Sequence, residues 1–140
     1  MHPSRRDLAL LLPAVASAQE KKPQVLESKV YKYENLPVKE NGPNKGRAVL
    51  NGMTHGGFPV ELHMTELGSG QAPHAPHQHA HEEIVMLRRG NLDVTIEGRT
   101  TRLTPGSVAS VASGQLHGWR NPGPEPAEYF VIALGQEPRR

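Results

Sequence analysis

Ile84-Val85-Met86-Leu87-Arg88-Arg89-Gly90-Asn91-Leu92-Asp93-Val94-Thr95-Ile96-Glu97-Gly98-Arg99-Thr100-Thr101-Arg102-Leu103 is the stretch that decides the fold. Ile84 to Leu87 is a continuous apolar run, as a strand buried on both faces requires. Asn91 to Glu97 alternates polar and apolar residues, the period of a strand with one buried face. Glu97-Gly98-Arg99 is a hairpin turn into Thr100–Leu103, and Arg88-Arg89-Gly90-Asn91 is a second turn candidate. The same grammar extends both ways. Val30-Tyr31-Lys32-Tyr33 alternates, as does Val60 to Leu67. Pro105-Gly106 turns into Ser107–Val111, and Glu128 to Leu134 closes the set. Residues 35–57 hold many Gly, Asn and Pro residues and are expected to be irregular, with one short strand near Ala48-Val49-Leu50. Many short strands at this spacing predict an all-β antiparallel sandwich or barrel of one domain.

Composition agrees. The chain has 140 residues, with 13 prolines and 14 glycines to interrupt any long helix. Lys and Arg number 16 against 14 Asp and Glu, and the basic residues form no stripe, so nucleic acid is not an expected partner. Cysteine is absent, which excludes disulfides, thiolate ligands and Cys nucleophiles. No apolar run reaches the roughly 18 residues of a membrane span.

The first residues have the form of an address. Arg5 and Arg6 precede a short apolar segment, Leu8 to Val15, and Ala16-Ser17-Ala18 fits a small-residue cleavage site. Ser4-Arg5-Arg6-Asp7-Leu8 resembles a twin-arginine export signal. Residues 1–18 are therefore expected to be a signal peptide directing the protein to the periplasm or the extracellular space. Residues 19–28 are expected to be a flexible lead-in and residues 29–140 the barrel.

The chemistry sits in Pro73-His74-Ala75-Pro76-His77-Gln78-His79-Ala80-His81-Glu82-Glu83, which holds four of the eight histidines. In an extended chain His77 and His79 point the same way. Glu83 can return a carboxylate to that face, with Glu82 facing away. His117, in Ser113-Gly114-Gln115-Leu116-His117-Gly118-Trp119, comes from a distant strand and can close the set. Three imidazoles and one carboxylate suit a transition metal and leave one or two positions open on an octahedral ion.

Two motifs give this pattern a family. His77-x-His79-x3-Glu83-x6-Gly90 resembles the first motif of the cupins, with the leading Gly70 one residue too far away. Gly106-x5-Ala112-x-Gly114-x2-His117-x3-Asn121 resembles their second motif, with Ala112 in place of proline. The resemblance covers about residues 58–134 and implies an antiparallel jelly-roll barrel with a metal inside. It implies His77, His79, Glu83 and His117 as ligands of one divalent transition metal, and a homodimer in which the segment around Val30–Tyr33 crosses between subunits. Mixed N/O ligands suit Fe, Mn, Zn, Ni, Co or Cu, and loading in the cytoplasm before export favours Fe or Mn. Glu83 is also the expected base.

By strand parity Val85 and Leu87 line the barrel beside the metal. Trp119 is either pocket wall or core, and Phe130 or Tyr129 stands at the far end. This lining suits a small organic substrate of low charge. The leading expectation for function is a dioxygenase-type oxidoreductase. The same site also serves decarboxylases, isomerases and lyases, or a cupin that binds a small ligand without turnover. The surplus His74 and His81 also allow a metal store. His81 could replace a ligand in a His79-x-His81 pair, but this breaks the family spacing, and it is placed at the barrel mouth instead. His74 and His55 are expected in loops. His63, sharing a face with Glu61 and Thr65, is expected to be a satisfied surface or core histidine.

Overall fold

A computed structural model of the protein describes Lys22 and residues 24–135. The expected signal, residues 1–18, lies outside the described residues. Among the described residues, nine strands follow a 3-10 turn at Tyr33–Asn35: β1 (Val38–Asn41), β2 (Asn44–Met53), β3 (Pro59–Leu67), β4 (Glu82–Arg89), β5 (Leu92–Ile96), β6 (Arg99–Leu103), β7 (Val108–Val111), β8 (His117–Arg120) and β9 (Ala127–Leu134). They form a six-stranded sheet, β1-β2-β3-β9-β4-β7, and a three-stranded sheet, β6-β5-β8. All of these pairings are antiparallel, as the alternation and turns predict. The result is the expected all-β jelly roll.

Register sets the interior. Glu83 and Glu61 flank Ala133 in one row, Val85 and His63 flank Val131 in the next, and Leu87 and Thr65 flank Tyr129 in the third. Because paired residues share a face, these three rows all point inward. Opposite them, His117 pairs with Ile96 and Trp119 with Val94. The core is Leu67, Val85, Leu87, Leu92, Val94, Leu103, Trp119, Ala127, Tyr129 and Val131. Each large apolar side chain buried here stabilises the fold by about 1.5–3 kcal/mol relative to exposure. The indole Nε1–H donates to Tyr129 Oη at 2.9 Å, so Trp119 and Tyr129 bring no unpaired polar atom into the core.

Two motif residues are structural. Asn121 is fully buried; its Nδ2 donates to the carbonyls of Leu67, Gly68 and Glu125, and its Oδ1 accepts from the Gly123 amide. It ties the end of β3 to the β8–β9 loop. Gly90 has φ +79°, and a Cβ there would lie 2.5 Å from the Pro126 carbonyl oxygen, so only glycine fits.

The N-terminal third departs from expectation. Val30–Tyr33 forms no strand, and Tyr33 opens the 3-10 turn beneath the Arg47 and Arg88 guanidinium groups. Residues 35–57 carry a hairpin of β1 and the ten-residue β2 where one short strand was expected. A bulge between Ala48 and Leu50 shifts the side-chain period of β2, so its alternation cannot be seen in the sequence. Part of the expected lead-in is also tied down. Val25 bridges Met53 in parallel, with Leu26 N donating to Met53 O at 2.9 Å and Met53 N to Gln24 O at 2.8 Å.

Candidate metal centre

The histidine segment is not a strand, yet it is held like one at a single point. His77 and His117 exchange both backbone hydrogen bonds, each 2.9 Å, in an isolated antiparallel bridge. Residues paired in this way project to one side. The Gly114 amide donates to His79 O at 2.8 Å and fixes the next turn of the segment. The three rings then converge, with centroids 4.9 Å apart for His77–His117, 4.8 Å for His79–His117 and 5.0 Å for His77–His79. Their ligand atoms all lie within 4.8 Å of one another. Glu83, at the start of β4, completes the group: its Oε2 lies 3.2 Å from His117 Nε2 and its Oε1 3.4 Å from His79 Nε2. The four residues singled out in the sequence therefore meet in space. Glu82, as expected, is exposed.

The backbone decides which nitrogen is free. His79 Nδ1 is 2.8 Å from the His81 carbonyl and His117 Nδ1 is 2.8 Å from the Gln115 carbonyl. A carbonyl only accepts, so each Nδ1 donates to it and Nε2 is the nitrogen each ring turns toward the centre. His79 Nε2 is buried without a hydrogen-bond partner. His117 Nε2 faces a carboxylate oxygen. Imidazole nitrogens and a carboxylate thus converge in the interior, a mixed N/O donor set that fits a transition-metal cation.

His77 Nδ1 lies 2.9 Å from His74 Nδ1 and 3.4 Å from Ala75 O, so His74, in a loop as expected, sits behind His77. Burial holds the His77 pKa below its usual value, assisted by His74 and then by His117 and His79, while the Ala75 carbonyl opposes the shift. The shift favours the neutral imidazole, the form a metal needs.

The expected pocket residues divide. Val85 and Leu87 are completely buried and form a floor beneath the histidines, as does Trp119, whose ring lies 5.8 Å from that of His117. Phe130 is misplaced by the sequence reading: in β9 it alternates with the inward Tyr129 and Val131, so it lies on the outer face, beside Tyr31, Tyr33 and Met64. Tyr129 takes the interior position, and burial pushes its hydroxyl up to about 12. A cleft of about 460 Å³ opens between β6 and β7, lined by Val94, Ile96, Arg99, Thr101, Leu103 and Ala109 among others. Ile96 pairs with His117 on one side and Arg99 on the other, so this cleft borders the centre. None of the four expected pocket residues lines it. Its lining crosses from one sheet to the other, a relation that strand parity alone does not reveal.

Two histidines that the sequence reading placed outside the ligand set both contact carboxylates. His63 Nδ1 is 2.9 Å from Glu61 Oε1, and the register turns this pair inward. His81 Nε2 is 3.4 Å from Glu83 Oε1. The clue to the first was the shared parity of Glu61, His63 and Thr65, which became useful once Leu67 fixed the buried face of β3.

Residues 63–133, half of the chain, match the family described as cupin domain. No curated protein matches the chain. Solved structures with the same fold include an RmlC-like cupin from Shewanella frigidimarina, with 17% identity over 79% of this chain and 94% of that one and a TM-score of 0.66. The polyketide cyclase RemF from Streptomyces resistomycificus has 17% identity over 81% of this chain and 83% of that one, with a TM-score of 0.65. A predicted oxalate decarboxylase from Thermotoga maritima has 15% identity over 77% of this chain and 100% of that one, with a TM-score of 0.64. At these identities the likeness concerns the fold. With the family match spanning the two motifs and the convergent imidazoles, the chain belongs to the cupin domain family.

Proposed function

We propose that the protein is a cupin enzyme that holds one divalent transition metal ion on His77, His79, His117 and Glu83 and acts on a small organic molecule. The observation that carries the reading is the convergence of His79 Nε2, buried without a hydrogen-bond partner, and His117 Nε2 on the Glu83 carboxylate. A bound ion would supply Lewis acidity and, as Fe or Mn, redox chemistry at the positions left open. The side chains supply the rest. The Nδ1–carbonyl bonds of His79 and His117 hold those rings in one tautomer. Glu83, with its two oxygens against different imidazoles, is placed to take a proton from a substrate bound beside it. Val85, Leu87 and Trp119 keep water from the lower side.

Oxidation of dioxygenase type, with Fe or Mn, is our reading within this class. Open positions beside an apolar floor and a cleft of about 460 Å³ support it, the cleft being of a size for a small aromatic or enolic molecule. A second reading is a lyase or decarboxylase reaction without change of metal oxidation state, and Arg99 in the cleft favours it by offering a partner to a carboxylate. We further propose that residues 1–18 direct export, on the strength of Arg5-Arg6 and Ala16-Ser17-Ala18, and that a second copy covers the exposed edge strand β1.

Elemental analysis of natively expressed protein, wild type against His79→Ala, tests the metal. About one ion per chain, lost in the variant, is expected; equal content in both would sink the assignment. Oxygen uptake with phenolic and diketone compounds then separates oxidation from the lyase reading, since only oxidation consumes dioxygen.

A further inference from the structure

Glu83 faces two sets of imidazoles. Besides His77, His79 and His117, the ligand atoms of His79, His81 and Glu83 also lie within 4.8 Å of one another. The His79 and His81 rings are parallel, 6° apart in plane with centroids at 3.5 Å. Both Nε2 atoms lie 3.4 Å from the same oxygen, Glu83 Oε1. The other oxygen, Oε2, goes to His117 at 3.2 Å. One carboxylate is thus divided between two nitrogen sets.

His79 belongs to both sets, and this decides what they can be. Its Nδ1 proton is given to the His81 carbonyl, so Nε2 is its single donor atom. One nitrogen lone pair holds one ion at a time. Two three-ligand sets that share this atom are therefore alternative seats for one ion, and not a two-metal centre. The seats differ in depth and origin. His117 closes the inner seat with a side chain 0% exposed, while the His81 side chain is 14% exposed. The outer set is contained in residues 79–83, whereas the inner set requires β8 to be in place.

We propose that His79, His81 and Glu83 form a second, outer seat that captures the same divalent ion before it passes to His77 and His117. This deepens the metal-binding reading above and rests on it. During transfer His79 and Glu83 keep hold of the ion, so the move exchanges one imidazole for two without releasing the ion to water. An ion in the outer seat has three protein ligands and stays accessible to exchange. In the inner seat it is held from two distant segments, and departure is slower.

The test uses the full chain, stripped of metal and titrated with Cu²⁺, with electron paramagnetic resonance as the readout. His81→Phe keeps a ring stacked on His79 but removes the donor nitrogen; His81→Ala serves as a second variant, and circular dichroism confirms the fold of each. Wild type should bind one ion and give two Cu²⁺ signals, the outer one dominant early after mixing. Both His81 variants should keep one ion with the inner signal alone and take it up about 10-fold more slowly. His77→Ala should keep one ion with the outer signal, its affinity reduced about 10–100-fold, and His79→Ala should lose both signals. An unchanged spectrum and uptake rate in the His81 variants, or two ions per wild-type chain, overturns the outer seat alone. Failure of the wild type to bind any ion overturns the metal reading with it.

Discussion

The two ends of the same inner surface differ in what they bury. Along β3 the inward residues run Glu61, His63, Thr65, Leu67; along β4 they run Glu83, Val85, Leu87; along β8 His117 is followed by Trp119. At one end the strands deliver acceptors and imidazoles. Two residues on in β4 and β8, and at Leu67 in β3, the same strands deliver apolar side chains that are almost entirely buried. The closed end supplies most of the packing energy and satisfies its polar atoms internally, as in Trp119 to Tyr129 and Asn121 to three carbonyls. The open end leaves His79 Nε2 without a partner. Stability and chemistry are thus separated by one or two residues along each strand, with Val85 and Val131 between.

Substitutions should respect that division. Leu87→Ala, at the closed end, should cost about 2–5 kcal/mol in urea unfolding while folded protein still binds one ion per chain. Loss of metal at native stability would break the comparison. His79→Ala, at the open end, should weaken metal affinity by about 100-fold or more, equivalent to about 2.7 kcal/mol. It should leave the metal-free protein as stable as wild type or slightly more so, because a buried atom without a partner is removed. Asn121→Ala leaves three carbonyls short of a donor and should destabilise by about 1–3 kcal/mol, read from the thermal midpoint. Tyr129→Phe should cost about 1 kcal/mol by depriving the indole of its acceptor, with metal content unchanged.

The smallest effect concerns pH. The folded state holds the His77 pKa below the ordinary value of 6.5, so the unfolded chain binds a proton first as pH falls. The stability this contributes is complete above 6.5 and is lost as pH drops through the depressed folded value. Metal-free protein should therefore melt lower at pH 5 than at pH 7.5, with a weaker slope in His77→Gln. An equal slope in the variant would assign the loss to other groups.

Much of this division could be read in the sequence. Strands from Pro59 onward follow from alternation and turns, because each has one face in the core and short, glycine-marked connections. The ligand quartet follows from the spacing of His77, His79, Glu83 and His117. What escaped had a physical cause in each case. The bulge in β2 breaks the period that identifies a strand. Val30–Tyr33 alternates but pairs with no strand among the described residues, and alternation alone does not show whether a partner is there. Phe130 is apolar on both readings of its strand, and only the partners of β9 show which face is inside. His81 and Glu83 share a face by parity, but the family spacing set His81 aside and so hid their contact.

The imidazole orientations have a further consequence. For His79 and His117 the acceptors that hold Nδ1 are the main-chain carbonyls of His81 and Gln115. No side-chain substitution removes a carbonyl oxygen, so the aim of these rings is independent of the side chains at 81 and 115. Mutational drift can change the chemistry around the centre, its charge, its lining and its substrate, while those two donor atoms keep their direction. A library randomised at positions 81 and 115 should accordingly vary in reactivity far more than in the number of ions bound.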